Sequence, residues 1–382
     1  PNTQNAISAT CVSICCFAAS RYRQKDHSVK GKTMRFILGF AVLLLLGWTG
    51  WWFFAASKVK HGATAFIAEQ QQRGMAIEHQ GLSVRGFPYR FDLELTAPEI
   101  HDPRSGYGWE APFLRLQALA YQPNHIIATL PDSQTVYLPD QTLTLASSRM
   151  QGSIRTRLPP GMALQRLVTE GEAVTLSSDR GWTLGMPKVV AALQPAAQAG
   201  AAGNTYDLAL SAAQLAPGGT LRLDIDPRSR LPDAIDTVTL DASLLLDAPL
   251  DRAMFDRNAV TPEIQAIGIR DAGVVWGNAN LRLSGDLAMD TEGLADGTLH
   301  LRVSGWETIL NIVIALGIVP EENRSVAEVA LRVMAGTTLG AKTLDVPLRV
   351  SSGVVFLGPE GVADDCEGKQ VKLAHIAVDE CF

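Results

Sequence analysis

The sequence predicts a β-rich α+β fold: long antiparallel sheets in two lobes, an N-terminal transmembrane helix, and a helix pair near residues 307–335. Three observations support this prediction. An uncharged apolar stretch lies near the N-terminus, apolar and polar residues alternate along much of the remaining chain, and two late segments have helical spacing. Alternation with a period of two is typical of strands with one buried face, which belong to antiparallel sheets.

The composition limits the class of protein before any motif is considered. The 382 residues are 47% hydrophobic and 19% charged, with a formal net charge of −6. A chain of this length has room for roughly one to three domains. An acidic chain lacks the basic surface that binding to a phosphate backbone requires, so we predict no nucleic-acid partner.

The stretch Phe36–Ala56 is uncharged over 21 residues, the length that a helix needs to cross the hydrocarbon core of a membrane. We therefore assign residues 34–57 to a transmembrane anchor. Trp48, Trp51 and Trp52 lie at its C-terminal end, where aromatic side chains typically meet the lipid headgroups.

The charges around the anchor predict its orientation. Several basic residues precede it, against Asp26 as the single acidic one. The positive-inside rule then predicts a single-pass protein of the bacterial inner membrane, with a cytoplasmic N-terminus and a periplasmic bulk. A signal peptide cleaved near residues 55–57 is the alternative, but the apolar stretch is longer than signal peptides usually carry and bulky residues precede that site. Because Met34 is a natural start for an exported protein, we expect residues 1–33 to be a cytoplasmic extension without a function of its own.

The five cysteines suggest no metal site. The three near the N-terminus have the spacing CxxxCC, which fits neither a zinc site nor a lipoprotein box. Cys366 and Cys381 lie in the tail, residues 362–382, on the predicted periplasmic side, where oxidation is permitted. A disulfide between them and two unpaired thiols both stay open, because sequence alone does not fix their geometry.

The predicted periplasmic part divides into successive segments. Residues 58–80 form a juxtamembrane helix, residues 81–230 a first β-lobe, and residues 231–361 a second lobe that includes the helix pair. The clearest strand is Val238–Ala248, where apolar residues occupy every second position. The segment Leu221–Ile225 alternates in the same way and is also predicted to be a strand.

The second lobe contains a hairpin and two helices. Two alternating segments around the turn TEGLADG predict a hairpin over residues 281–303, and the acidic residues of this turn fit turn chemistry better than a calcium loop. The segment 307–316 is apolar on nearly all sides and predicts a helix that either is deeply covered or faces lipid. A second helix begins near Ser325 and Glu328, which have capping-box spacing. It carries an apolar stripe: Val326, Val329, Ala330, Val333 and Met334.

No motif in the sequence supports catalysis. The histidines lack metal-ligand spacing, and no nucleophile elbow, phosphate-binding loop or dinucleotide-binding fingerprint is present. The sequence Ser57-Lys58-Val59-Lys60 matches SxxK, but the partner motifs of penicillin-binding enzymes are missing. His101-Asp102 is a conceivable acid–base pair, yet it has no nucleophile to orient. We therefore expect no enzyme, no cofactor and no metal.

The segment Arg85-Gly86-Phe87-Pro88-Tyr89-Arg90 predicts a bend before the first clear strand. Glycine permits an unusual backbone angle there, and proline removes a strand donor. Two interpretations of the arginines stay open: solvated side chains beside a turn, or contacts with lipid phosphates near the membrane.

Several segments together make the sequence similar to a known family. VRGFPYRFDLELTAPEI after the anchor, then GWEAPFLRLQALAYQPNHIIATLP and WGNANLRLSGDLAMDTEGLADGTLHLRVSGWETIL, resemble an uncharacterised, mostly alphaproteobacterial family: the domain of unknown function number 2125. The resemblance covers roughly residues 34–360 and ends after Gly358-Pro359. It implies a location in the cell envelope and supplies no catalytic residues.

A looser likeness connects the chain to AsmA-type envelope proteins, which combine an N-terminal anchor with many alternating strands. A GxLxxDxxGxxxGxLxL-like segment supports it, at Gly285, Leu287, Asp290, Gly293, Gly297, Leu299 and Leu301. This is an analogy of fold, which is a weak argument for function.

Two functions of different classes fit the sequence. The first is binding or shuttling of lipid on an apolar β-groove held near the inner membrane, with inner-membrane lipids and other envelope proteins as partners. Its lipid-facing residues are predicted to be Leu240, Leu244, Leu246, Leu283, Leu287 and Leu301. The second is a structural or assembly protein of the envelope, in which the apolar faces pack on each other. Alternation alone does not separate them, because a groove and a closed core show the same pattern.

Overall fold

The computed structural model describes residues 28–197, 204–226, 229, 231–255, 262–315, 319–336 and 343–357. The chain divides into two compact units, Pro1–Trp51 and Trp52–Phe382. Residues 1–27 and the predicted tail with Cys366 and Cys381 lie outside the described residues, so the predictions made for them stay predictions.

Helix α1 (Ser28–Gln72) contains the whole apolar stretch. Its portion from Met34 is long and apolar enough to cross a membrane, as the sequence predicts, and its side chains up to Trp51 are almost all exposed. The helix continues beyond the apolar stretch and ends at Gln72, just before Gly74 with φ of 101°. The juxtamembrane helix therefore stops short of residue 80.

The described residues of the second unit form nineteen strands of one antiparallel sheet. The first ten are β1 (Ala76–Glu78), β2 (Gly81–Arg85), β3 (Arg90–Thr96), β4 (Glu99–His101), β5 (Gly108–Glu110), β6 (Phe113–Leu119), β7 (Gln122–Leu130), β8 (Ser133–Tyr137), β9 (Thr142–Ala146) and β10 (Arg149–Thr156). The others are β11 (Leu164–Ser178), β12 (Trp182–Pro195), β13 (Thr205–Gly219), β14 (Ile235–Leu246), β15 (Ile264–Trp276), β16 (Ala279–Met289), β17 (Ala295–Ser304), β18 (Thr343–Ser351) and β19 (Val354–Leu357).

The sheet is a meander. Each long strand, or each pair of short strands lying end to end, is hydrogen-bonded to the next one along the chain. From β11 to β19 every strand pairs with its successor. The first ten strands form five such end-to-end pairs, β1/β2 to β9/β10. The breaks within the five pairs lie next to each other across the sheet. Strand β11 receives β10 along its first half and β9 along its second half. The predicted β-rich antiparallel class is thereby confirmed.

Prolines account for some of these breaks between short strands. Pro98, Pro112 and Pro131 follow β3, β5 and β7, and a proline has no N–H to continue a ladder. The neighbouring N–H groups bridge the break: Ala97 donates to the Pro112 carbonyl at 2.8 Å, and Ala111 donates to the Pro98 carbonyl at 3.1 Å. Backbone hydrogen bonding between neighbouring strand pairs therefore continues across the breaks.

The predicted boundary between two lobes, at residues 230/231, falls between β13 and β14. These two strands pair from Thr205↔Leu245 to Leu215↔Ile235, so the sheet continues across the boundary. The division into lobes stays a prediction.

Helix α2 (Thr220–Ile225) replaces the strand predicted at Leu221–Ile225, so that prediction is wrong. Gly219, with φ of 62°, ends β13, and the chain then turns into a helix. Arg222 and Asp226, four residues apart, form an ion pair of 3.0 Å that only the helical spacing permits. Five alternating residues were too few to separate a strand from a helical turn.

The predicted helix pair is confirmed as α3 (Trp306–Ala315) and α4 (Arg324–Gly336). Two details of α4 differ from the prediction. Ser325 lies inside the helix, because a 3₁₀ turn at Glu321–Asn323 leads directly into Arg324, so the capping box is not formed. Val326 and Val329 of the predicted stripe face outward, with both residues at least 60% exposed, while Ala327 and Leu331 pack on the protein.

The predicted hairpin is formed by β16 and β17; Asp290 holds its turn, and two glycines lie within its strands. The Asp290 carboxylate accepts the N–H groups of Glu292 and Leu294 at 2.8 and 2.9 Å, which is ordinary turn chemistry. Gly285 has φ of 141°, and a Cβ at Gly297 would collide with the Asp286 carbonyl. The GxLxxDxxGxxxGxLxL-like segment therefore has a structural reason in this hairpin.

Trp52 attaches the beginning of the second unit to the sheet. Its side chain is 3% exposed and packs on Phe91, Ala120 and Val84. The indole N–H donates to the Arg90 carbonyl at 3.0 Å. The sequence grouped Trp52 with the aromatic belt, and the structure instead buries it against protein.

We predict that Trp52→Ala lowers the free energy of unfolding of the sheet by about 3 kcal/mol, since a buried tryptophan and its hydrogen bond are lost. Trp51→Ala is the matched control, because Trp51 is 44% exposed. It should change this free energy by less than about 1 kcal/mol. Thermal or denaturant unfolding of the full chain in detergent measures both, and equal losses would contradict the assigned burial of Trp52.

Candidate functional site

Register places many of the apolar residues of the strands on one side of the sheet, which we call the apolar face. Residues opposite each other in an antiparallel pair point to the same face, and successive residues alternate. A single row of thirteen residues, the central row, can be followed from β3 to β19 without a polar side chain. Its members are Phe91, Ala118, Ile126, Ile154, Leu167, Leu193, Leu208, Ala242, Ile269, Gly285, Leu299, Leu348 and Leu357.

The six residues predicted to face lipid lie on this face. Leu240, Leu283 and Leu301 belong to a neighbouring row, joined through Ala272. On the other side of the central row Leu244 lies opposite Ile267, and Ile267 lies opposite Leu287. Leu246 follows on β14 and is buried, while the other five are half-buried. Whether they contact lipid stays a prediction.

On β14 and β16 the central row has a smaller side chain than the positions on either side of it. Ala242 lies between Leu240 and Leu244 on β14, and Gly285 lies between Leu283 and Leu287 on β16. At these two positions a small residue lies between two leucines, while Ile269 occupies the same row on β15, between β14 and β16. At a spacing of about 4.8 Å between strands, thirteen strands extend about 60 Å along the sheet.

Helices cover the two ends of the apolar face. At one end Trp52, Ala55 and Ala56 of α1 pack on Phe91 and its neighbours. At the other end α3 packs over β17 and β18 in the principal buried cluster: Val303, Trp306, Leu310, Ile314, Leu344 and Val346.

The middle of the apolar face is covered less by helices than its ends are, although Tyr206 on β13 and Ala242 on β14 are each only 2% exposed. Among the described elements no α-helix is packed along β10, β11 or β14. The side chain of Ile154, in the central row, is 38% exposed. Most other members of the row between its ends are half-buried.

The opposite face of the sheet is charged and held by ion pairs between neighbouring strands. Arg115 pairs with Glu94 at 2.8 Å, Arg302 pairs with Asp345 at 3.3 Å, and Arg282 pairs with Asp271. These pairs are partly exposed, so each contributes little to stability. They make the charged face unsuitable for an apolar ligand and distinguish it from the apolar face.

Arg270 connects three strands on the charged face. It is the extra residue of a bulge in β15, where Asp241 lies opposite Asp271 and Ala242 opposite Ile269. Its guanidinium lies 2.9 Å from Asp207 on β13 and donates to Asp241 on β14 at 2.9 Å. Hydrogen bonding to Arg270 lowers the pKa of Asp241 below its ordinary 3.8. The bulge also keeps Ile269 and Ala272 on the apolar face.

The candidate catalytic pairs are not assembled in the described residues. Asp102 accepts the Arg104 N–H at 3.0 Å and the Ser105 hydroxyl at 2.8 Å, bonds that lower its pKa, while His101 lies 3.3 Å from Glu99. In the SxxK segment, Ser57 contacts His61, and the Lys58 ammonium lies over the Phe54 ring. No group of His, Cys, Asp or Glu with metal-binding geometry occurs in the described part of the chain.

The sequence analysis did not predict the contact between Trp52 and Phe91 or the ion pairs of Arg270 with Asp207 and Asp241. The first leaves no sequence signal, since tryptophan fits an aromatic belt and a core equally well. The second leaves one: in Ile267-Gly268-Ile269-Arg270-Asp271-Ala272 the alternation breaks at two adjacent charges, a pattern that fits a bulge.

Comparison with known proteins identifies one match. A family model described as "Uncharacterized protein conserved in bacteria (DUF2125)" matches residues 52–364, as the sequence resemblance predicts. No curated protein and no solved structure matches the chain. The likeness to AsmA-type proteins and the alphaproteobacterial origin stay predictions.

We predict that Asp241 stabilises the fold in a pH-dependent way. Because its pKa is lowered in the folded state, its contribution is present above the unfolded-state pKa and is lost as pH falls through the lower folded value. Both partners are exposed by more than a third, so the contribution should stay under about 1 kcal/mol. Denaturant unfolding should show a deficit of Asp241→Asn relative to the parent at pH 7 that disappears in acid. A deficit that persists in acid would assign it to packing instead of charge.

Proposed function

Since this chain belongs to the DUF2125 family of uncharacterized bacterial proteins, which brings no activity with it, we propose a function from the geometry of the apolar face. The protein binds the acyl chains of membrane lipids along this face, next to the bacterial inner membrane. The observation that supports this most directly is the central row, thirteen apolar residues in register across the sheet.

The chemistry of the row selects an aliphatic ligand. Its side chains are mainly Leu, Ile and Ala, which offer dispersion contacts and no hydrogen bonds. A sugar, nucleotide or peptide backbone placed there would lose hydrogen bonds to water without replacement. An acyl chain loses none, because it has no hydrogen-bonding groups.

The two ends of the row suggest how lipid reaches it. Phe91 begins the row and packs against Trp52, which belongs to the apolar stretch of α1. The row therefore begins beside Trp52, near the C-terminal end of the segment assigned to the membrane. This continuity supports movement of lipid along the face as well as its binding.

The proposed location follows from α1. Anchoring in the inner membrane by one pass agrees with a helix long and apolar enough to cross. The excess of basic residues before the apolar stretch supports a cytoplasmic N-terminus and a periplasmic sheet. The proposed activity is transfer or storage of lipid without covalent chemistry, so no cofactor or metal is needed.

The alternative is an envelope protein with a structural or assembly role and no ligand. The outward-facing Val326 and Val329 of α4 favour it, because exposed apolar side chains on a helix fit a protein partner. This alternative predicts that another protein, and no lipid, contacts the chain.

Leu244 and Leu245 provide a matched test of the proposal. They are adjacent on β14 and chemically identical, but Leu244 lies on the apolar face and Leu245 on the charged face, where it is 39% exposed. A benzophenone amino acid at position 244 in the full chain should form lipid adducts on irradiation of cells. The same probe at position 245 should form at least tenfold fewer.

Mass spectrometry of the purified chain identifies the adducts. A phospholipid or fatty-acid adduct specific to position 244 supports the groove. Equal adduct yields at the two positions would show contact with bulk membrane only and would contradict it. Protein adducts at position 244, without lipid, would favour the assembly role.

A further inference from the structure

Two turns at one edge of the sheet bring exposed aromatic side chains together. The turn at residues 86–89 joins β2 to β3, and the turn at Ala120-Tyr121 joins β6 to β7. The Ala120 N–H donates to the Tyr89 carbonyl at 2.8 Å, which holds the two turns side by side. Phe87 is 48% exposed, Tyr89 58% and Tyr121 71%. Together with Phe53 we call these residues the aromatic rim.

The aromatic rim is fixed to the beginning of the second unit through Trp52. The ring of Phe87 stands edge-on to Trp52 at 5.5 Å between centroids and is stacked on Phe53 at 5.8 Å. Phe53 is itself 60% exposed. Exposing four neighbouring aromatic rings to water is unfavourable, and a monomeric soluble protein seldom shows such a cluster.

Position along the chain identifies what covers the rim. Trp52 and Phe53 belong to the uncharged apolar stretch Phe36–Ala56, near its C-terminal end. If this stretch crosses a membrane, its last residues lie at the boundary between hydrocarbon and headgroups. The side chains that contact Trp52 and Phe53 then lie at the same depth.

We infer that the aromatic rim is inserted into the headgroup layer of the membrane that α1 crosses. Tyrosine suits this layer, because its ring contacts acyl chains while its hydroxyl stays hydrated. Arg90 is neutralised by Asp92 at 2.9 Å, whereas Arg85 forms no ion pair with the described residues and is available to a lipid phosphate. The inference rests on the proposed membrane anchoring and adds that the sheet itself touches lipid.

The rim also locates the membrane end of the apolar face. Val84 and Phe91, at the start of the face, adjoin the turn that carries Phe87 and Tyr89. An inserted rim would hold this end of the face at the level where acyl chains leave the bilayer. Lipid would then reach the central row without crossing bulk water.

Depth measurement by electron paramagnetic resonance tests the inference on the full chain. In a variant with all five cysteines changed to serine, Tyr89→Cys and Tyr121→Cys each carry a nitroxide in the rim. Ala288→Cys, exposed on the charged face of β16, is the control. The protein is placed in vesicles of phosphatidylethanolamine and phosphatidylglycerol, and only material that floats with the vesicles is measured.

The inference predicts that the labels at positions 89 and 121 are more accessible to oxygen than to a water-soluble nickel chelate, with the reverse order at position 288. The two rim labels are independent, so a label that disturbs the circular dichroism spectrum at one position leaves the other. Rim labels as aqueous as the control, in floating protein, would overturn the inference and leave the anchor intact. Protein that does not float would overturn both.

Discussion

The structure depends on one constraint: apolar residues must stay in phase from strand to strand across the whole meander. A slip of one residue would transfer a strand's apolar side chains to the charged face. The central row, from Phe91 to Leu357, shows that no such slip accumulates over thirteen strands. Where the sequence inserts a residue, the fold absorbs it locally. At Arg270 a bulge displaces the extra residue to the charged face, and its guanidinium then braces β13, β14 and β15.

The same constraint bears on stability and on the proposed function. A sheet with one apolar and one charged face must either bury the apolar face or give it a ligand. The second unit buries its two ends, under Trp52 and its neighbours at one and under α3 at the other. Between these ends no described α-helix lies along β10, β11 or β14, and acyl chains are the occupant that its aliphatic chemistry favours. The proposed function is therefore a consequence of how incompletely the face is covered.

Much of the fold could be predicted from local pattern. The hairpin of β16 and β17 could be predicted because alternation and turn chemistry agree there. Helix α1 could be predicted because its apolar stretch is long. The six predicted leucines share one face because period two and antiparallel pairing determine face without any knowledge of distant contacts. What failed depended on tertiary contacts or on patterns too short to decide. Leu221–Ile225 satisfies both periods, and Val326 and Val329 face outward because Ala327 and Leu331 provide the packing. The burial of Trp52 depends on Phe91, 39 residues away in sequence.

The most direct test of the central claim is to determine the structure of the full chain in a lipid nanodisc by electron cryomicroscopy. The proposed function predicts elongated density along the central row, in contact with Leu240, Leu244, Leu283 and Leu287, and continuous with the bilayer near Phe91. A sheet whose apolar face is closed on itself, with leucine side chains packed against each other and no density between them, would contradict it.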